Sequence, residues 1–135
     1  MIVVDASVAI KWFLPEPGSI QALQLLENED VLIAPSLIHY EVANIAWKRV
    51  RRGDLTREQA DAIQERLPRM LAGLLGPPAL IGMALEMAHD TGASVYDASY
   101  LALAVVLGAT FVTADERLWR RVAGQPWADL VRLIR

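Results

Sequence analysis

Cysteine is absent from the 135 residues. That excludes disulfides, thiolate metal sites and cysteine nucleophiles, and it suits a reducing cytoplasm. Positive charge is not in excess: the formal net charge is −3, so there is no global basic footprint for nucleic acid. No basic segment precedes the apolar N-terminus, and Asp5 interrupts that run, so no signal peptide is expected. Long hydrophobic runs are missing as well. The uncharged stretches Met70–Leu85 and Ala98–Ala114 both fall short of the ~20 residues a spanning helix needs. Gly76-Pro77-Pro78 also breaks the first of them. The chain therefore reads as soluble and cytoplasmic, with no membrane association.

What is present suffices for one hydrophobic core. Apolar residues make up 54%, and the length fits a single domain spanning residues 1–135. Charge is uneven. Lys48, Arg49, Arg51 and Arg52 cluster, and Arg117, Arg120, Arg121, Arg132 and Arg135 crowd the C-terminal end. Such patches can hold a phosphate backbone or serve only as a solvated face.

Residues 2–5 read as a short buried strand rich in β-branched side chains. Ser7–Leu14 reads as helix stopped by Pro15 and Pro17, and Ser19–Glu29 as a second helix. Val31–Ala34 reads as strand, with Pro35 suited to a helix start. A helix follows from Ser36 to Arg52, and Gly53 stops it. Thr56 to Gln59 has the form of a capping box, opening a helix that lasts to Leu75 with a kink or break at Pro68. After Gly76-Pro77-Pro78 another helix runs to about Asp90, and Gly92 ends it. Ser94 to Asp97 resembles a capping box for a helix ending at Leu107. Ala109–Thr113 reads as strand, 116–123 as helix and Leu130–Ile134 as strand. Helices alternating with short, nearly all-apolar strands imply an α/β fold with a parallel sheet covered on both faces.

Four carboxylates stand at the edges of apolar stretches: Asp5, Glu41, Asp97 and Asp115. No lysine or arginine lies within three residues of Asp5 or Glu41. In a parallel sheet, strand ends and helix starts share one edge, where ligands bind. Asp5 and Asp115 follow strands, and Glu41 and Asp97 lie in the early turns of helices. Converged carboxylates repel unless they take up protons or share a hard cation bound through oxygen. Mg²⁺ or Mn²⁺ suits such a set, and a metal held this way can activate water against a phosphodiester.

These residues resemble a known family. Val3-Val4-Asp5-Ala6-Ser7-Val8, Glu41-Val42-Ala43-Asn44, Tyr96-Asp97-Ala98-Ser99-Tyr100 and Phe111-Val112-Thr113-Ala114-Asp115, in this order and spacing, look like a PIN domain. More closely they look like a VapC-type toxin ribonuclease of a type II toxin–antitoxin system. The resemblance covers essentially the whole chain. It implies a PIN-like three-layer α/β/α sandwich with a central, mainly parallel sheet, and an endoribonuclease dependent on Mg²⁺ or Mn²⁺. It implies a VapB-like antitoxin as partner, and a homodimer or toxin–antitoxin hetero-oligomer. Asp5, Glu41, Asp97 and Asp115 match the family's acidic quartet, as catalytic residues and metal ligands. Ser7 and Thr113 match its supporting hydroxyl positions, and Asn44 a polar position one turn after the glutamate.

Other readings stay open beside it. Asp97 could cap its own helix and Asp115 the next one. A haloacid-dehalogenase-like phosphatase also begins with strand and aspartate, but it wants a second aspartate where Ser7 stands. A phosphoryl-accepting receiver wants an acidic pair near Asp5. A non-catalytic partner-binding PIN module would keep the fold alone. His39 and His89 read as structural or surface residues. Tyr96 and Tyr100 flank the acidic set; Trp12, Phe13, Trp47, Trp119 and Trp127 read as core or partner-interface residues, and Trp12, Phe13, Leu14 and Leu37 as candidates for an exposed groove taking an antitoxin helix.

Overall fold

Ile2-Val3-Val4 forms the central strand of the molecule, and the rest of the sheet is laid out from it. The computed structural model describes the backbone of residues 1–75 and 79–135 and the side chains of residues 1–72 and 80–135. The expected break at Gly76-Pro77-Pro78 lies outside the described residues. Strands are β1 (Ile2–Val4), β2 (Leu32–Pro35), β3 (Gly73–Leu75), β4 (Thr110–Thr113) and β5 (Val131–Leu133). Helices are α1 (Ala6–Ala9), continued by a 3₁₀ turn over Ile10–Trp12, then α2 (Ser19–Glu27), α3 (Leu37–Arg51), α4 (Arg57–Met70), α5 (Ala79–Thr91), α6 (Val95–Leu107) and α7 (Glu116–Val122). A second 3₁₀ turn over Ala128–Leu130 leads into β5.

The strands lie in the order β3-β2-β1-β4-β5, and every described pairing is parallel. Val3 stands between Ile33 of β2 and Phe111 of β4. Every residue of β1 and of β2 is buried. Successive side chains of a strand point to opposite faces, so burial of all of them means that helices cover both faces. The result is the three-layer α/β/α sandwich. The chain moves outward from β1 to β3, then returns to place β4 on the other side of β1. That reversal opens a crevice at the carboxyl ends of β1 and β4.

The structure corrects the expected helix up to Leu75. Helix α4 ends at Met70, in the turn that contains Pro68, and Leu71 is already extended. Gly73–Leu75 then pairs with Ile33–Pro35 as an edge strand. Gly-Leu-Leu carries no β-branched residue, so local propensity favours a helix, and only the open edge of β2 makes it a strand. Pro35 is the last residue of β2 rather than a helix start, and α3 begins at Leu37. Trp12 is not an exposed groove residue either. It is buried, and its indole Nε1–H donates to the Ala22 carbonyl at 2.9 Å.

Candidate active site

Asp5 follows β1 and caps α1, its Oδ1 accepting from the Val8 backbone N–H at 3.2 Å. The same oxygen accepts from Ser7 Oγ at 2.5 Å, and Oδ2 accepts from Thr113 Oγ1 at 2.5 Å. Both hydroxyls are themselves anchored by the chain beyond β4. Ser7 Oγ accepts from the Ala114 N–H at 2.9 Å, and Thr113 Oγ1 from the Asp115 N–H at 3.0 Å. The ends of β1 and β4 are thus stitched together through one carboxylate. A carboxylate offers about four lone-pair sites. Three protein donors reach Asp5, so one site is left for a further partner. Burial pushes the Asp5 carboxyl up to about 6; the bonds from Ser7, Thr113 and Val8 pull it down, and the charge of Asp97 adds to the rise.

Glu41 lies one turn into α3 and Asp97 in the first turn of α6, both half-buried. Tyr100, fully buried and tilted against Phe111, donates its hydroxyl to Glu41 Oε1 at 2.6 Å. The Glu41 carboxyl is raised by burial, opposed by the Tyr100 bond and reinforced by Asp97. Burial and the charge of Asp115 raise Asp97, while the Ser94 hydroxyl and the Arg121 guanidinium lower it. Tyr100 is held far above its ordinary range by burial and by Glu41. Each of these carboxylates lies in the field of another, with Asp97 common to all of them.

Only half of the expected capping box forms at α6. The Ser94 Oγ accepts from the Asp97 N–H at 3.1 Å. Among the described hydrogen bonds the Asp97 carboxylate makes no return bond to the Ser94 N–H, and only the Ser94 hydroxyl acts on it as a donor. Asp115 does cap α7, its Oδ1 accepting from the N–H groups of Arg117 and Leu118 at 2.9 and 3.1 Å. It also lines a cavity of about 210 Å³ together with Asp97, Ser94, Arg117 and Arg121. A second cleft, of about 410 Å³, is lined by Glu41, Asn44, Leu37, Tyr40 and Tyr96.

The four expected carboxylates therefore stand at one edge of the sheet, with Ser7 and Thr113 on Asp5 and Asn44 beside Glu41. Among the described residues, no three of them are drawn tightly enough together to form a ready-made metal cluster. Their mutual repulsion opposes closer approach. The donor set nevertheless fits a hard cation, being carboxylate oxygens with an amide beside them. Neither His39 nor His89 lines either space. Sequence reasoning named Tyr100 only as a flanking residue; its position three residues after Asp97 on α6 was the available signal. It gave no place at the site to Arg117, Arg121 or Gly92.

The sequence profile of the PIN domain matches residues 2–125. This chain belongs to the PIN-domain family. Among solved PIN-like folds, the crystal structure of PAE2754 from Pyrobaculum aerophilum superposes with a TM-score of 0.72 at 26% identity, covering 91% of this chain and 86% of that one. Ribonuclease VapC3 of Pyrobaculum aerophilum is 35% identical over 119 residues, 87% of this chain and 91% of that protein. Ribonuclease VapC1 of Mycobacterium tuberculosis is 31% identical over 117 residues, 86% of each chain. No described helix of this PIN domain is long and apolar enough to cross a membrane.

Proposed function

We propose that this PIN domain is a Mg²⁺- or Mn²⁺-dependent endoribonuclease, the toxin of a type II toxin–antitoxin pair. The observation that carries the reading is Asp5. It is a buried carboxylate at the sheet's crevice, raised to about 6, with one acceptor site unspent and in the field of Asp97. The residues that would hold the ion are Asp5, Glu41, Asp97 and Asp115. Bound there, it would lower the pKa of a water and offset charge on the phosphoryl transition state.

The remaining work falls to the chain itself. Ser7 and Thr113 fix both Asp5 oxygens, so their orientation costs little reorganisation during reaction. Tyr100 fixes Glu41 in the same way. Two separate spaces, one lined by Asp97 and Asp115 and the other by Glu41 and Asn44, give a nucleic acid strand room to cross the site, which supports internal cleavage. A VapB-like antitoxin and a homodimer belong to this reading. Ile81 and Leu85, exposed one turn apart on α5, supply apolar surface for such contacts.

The phosphatase alternative loses support at the site. Ser7, where it needs an acid, is bonded to Asp5, and the nearby lysine, Lys11, is paired with Glu16. The decisive test incubates the purified protein with mixed RNA and Mg²⁺ or Mn²⁺, alongside EDTA and Asp97→Asn controls. Cleavage is expected, with EDTA abolishing it and the variant slower by at least about 100-fold, the scale of a lost charge-stabilising group. Cleavage that survives both controls refutes the metal site.

A further inference from the structure

The cavity beside Asp97 and Asp115 is lined by two arginines, Arg117 and Arg121. Among the described residues neither forms a salt bridge, although other basic residues do. Arg49 pairs with Glu16 and Asp54, Lys11 with Glu16, and Arg120 with Glu116. Arg121 is held by the backbone instead: its Nη1 donates to the carbonyl of Gly92, at the junction of α5 and α6. Gly92 has a positive φ of 73°, and a Cβ there would stand 3.0 Å from Arg121 Nη1. Glycine thus admits the close approach as well as the turn. Gln125 Nε2 makes a parallel bond to the Asp90 carbonyl at 3.2 Å. Together these bonds clasp α7 and the residues after it to the α5–α6 junction, and they set Arg121 beside Asp97.

A guanidinium carries five N–H donors and matches a phosphate in a two-pronged geometry. One bond to Gly92 leaves most of the Arg121 donors unspent. A cluster of carboxylates repels a polyanion, so a site that cuts RNA needs local positive charge to admit it, and the chain as a whole is acidic. We propose that Arg117 and Arg121 clamp an RNA backbone phosphate adjacent to the one being cleaved, on the Asp97–Asp115 side of the site. The proposal rests on the ribonuclease reading and adds the direction in which the strand leaves it.

The test is cleavage kinetics on a short single-stranded RNA at several KCl concentrations, with Mg²⁺ or Mn²⁺ present. The proteins compared are wild type, Arg117→Ala, Arg121→Ala, Arg121→Lys and, as control, Arg66→Ala on the exposed face of α4. Each alanine variant at the clamp is expected to raise KM about 10-fold, with kcat changing less. Each should also flatten the log–log salt dependence of kcat/KM by about 0.7, the share of one phosphate contact on a single strand. Arg121→Lys should recover the salt slope but only part of KM, and Arg66→Ala should match wild type. A wild-type enzyme that cleaves RNA while both alanine variants keep its salt slope and KM overturns the clamp alone. A loss confined to kcat and melting temperature makes the arginines structural and overturns it equally. If the wild type cleaves no RNA, the ribonuclease reading fails first and the clamp falls with it.

Discussion

Replacing Asp5 by asparagine should stabilise the metal-free protein at neutral pH while removing its activity. The Asp5 carboxyl sits at about 6 in the fold against an ordinary value of 3.8, a gap of about two units. At 1.36 kcal/mol per unit, that is a stability difference of about 3 kcal/mol between the protonated and ionised protein. Because the folded value is the higher one, the folded chain holds a proton between pH 3.8 and about 6 that the unfolded chain has released. Stability from the neutral form is full below pH 3.8 and lost as pH rises through about 6. Asparagine has nothing to ionise there. Its single oxygen can still accept from Ser7 and Val8, and its amide can donate to Thr113 Oγ1, at a cost of about 1 kcal/mol for the imperfect exchange. The net gain at pH 7.5 in EDTA is then about 2 kcal/mol, or roughly 6–8 °C in melting temperature for a chain of this size. Thermal denaturation of both proteins from pH 4 to 8 measures it. Glu41 and Asp97 titrate in both, so the difference between the two curves reports Asp5 together with its coupling to Asp97. Adding Mn²⁺ should raise the wild-type melting temperature and leave the variant nearly unmoved. Parallel curves from pH 4 to 7 would refute the claim that Asp5 bears a buried, uncompensated charge.

Two further substitutions separate roles that share one side chain. Thr113→Val keeps the shape but deprives Asp5 Oδ2 and the Asp115 N–H of their partner; it should cost roughly 1–3 kcal/mol by chemical denaturation. With that bond gone, the Asp5 carboxyl rises above about 6, so the acid limb of the pH–rate profile should move to higher pH. Asp115→Ser retains an oxygen that can cap α7 and removes the carboxylate. Stability should change by less than about 1 kcal/mol while cleavage falls by at least about 10-fold. Full activity in this variant would reduce Asp115 to a cap.

The fold was legible wherever short β-branched runs met a helical period. Ile2-Val3-Val4 and Thr110-Phe111-Val112-Thr113 are strands on their own chemistry, and Thr56 with Gln59 makes the full capping box the spacing implies. The strand at Gly73–Leu75 was not legible, because its identity comes from the hydrogen-bonding edge of β2 and not from its own residues. The acidic positions could be placed on one edge from topology alone, since a parallel sheet brings strand ends and helix starts together. Their helpers divide differently. Ser7 lies two residues from Asp5 and is visible as a neighbour, whereas Tyr100 reaches Glu41 from another helix and Arg121 reaches Gly92 from beyond β4. Such contacts depend on how helices pack, which no local pattern encodes. Trp12 shows the same limit: an aromatic before a proline pair reads equally as core or as interface in sequence, and the Ala22 carbonyl takes its indole N–H into the core.

The division of labour among the carboxylates follows from how each is anchored. Asp5 and Asp115 spend oxygens on backbone N–H groups at helix starts, so the fold itself aims them, and neither has much freedom to adjust to a ligand. Glu41 is aimed by one phenol. Asp97 is fixed chiefly through its own backbone, which the Ser94 cap holds in place, and its carboxylate has only the Ser94 hydroxyl acting on it as a donor. It is also the group whose charge reaches Asp5 and Glu41 and which feels Asp115 and Arg121. A rigid buried acid, two acids of fixed direction and one adaptable acid among them mean that, on the proposed reading, an incoming cation would have to recruit chiefly Asp97. Substituting Asp97 should therefore weaken metal binding while disturbing the fold least of the four, since it removes no bond that holds an element in place.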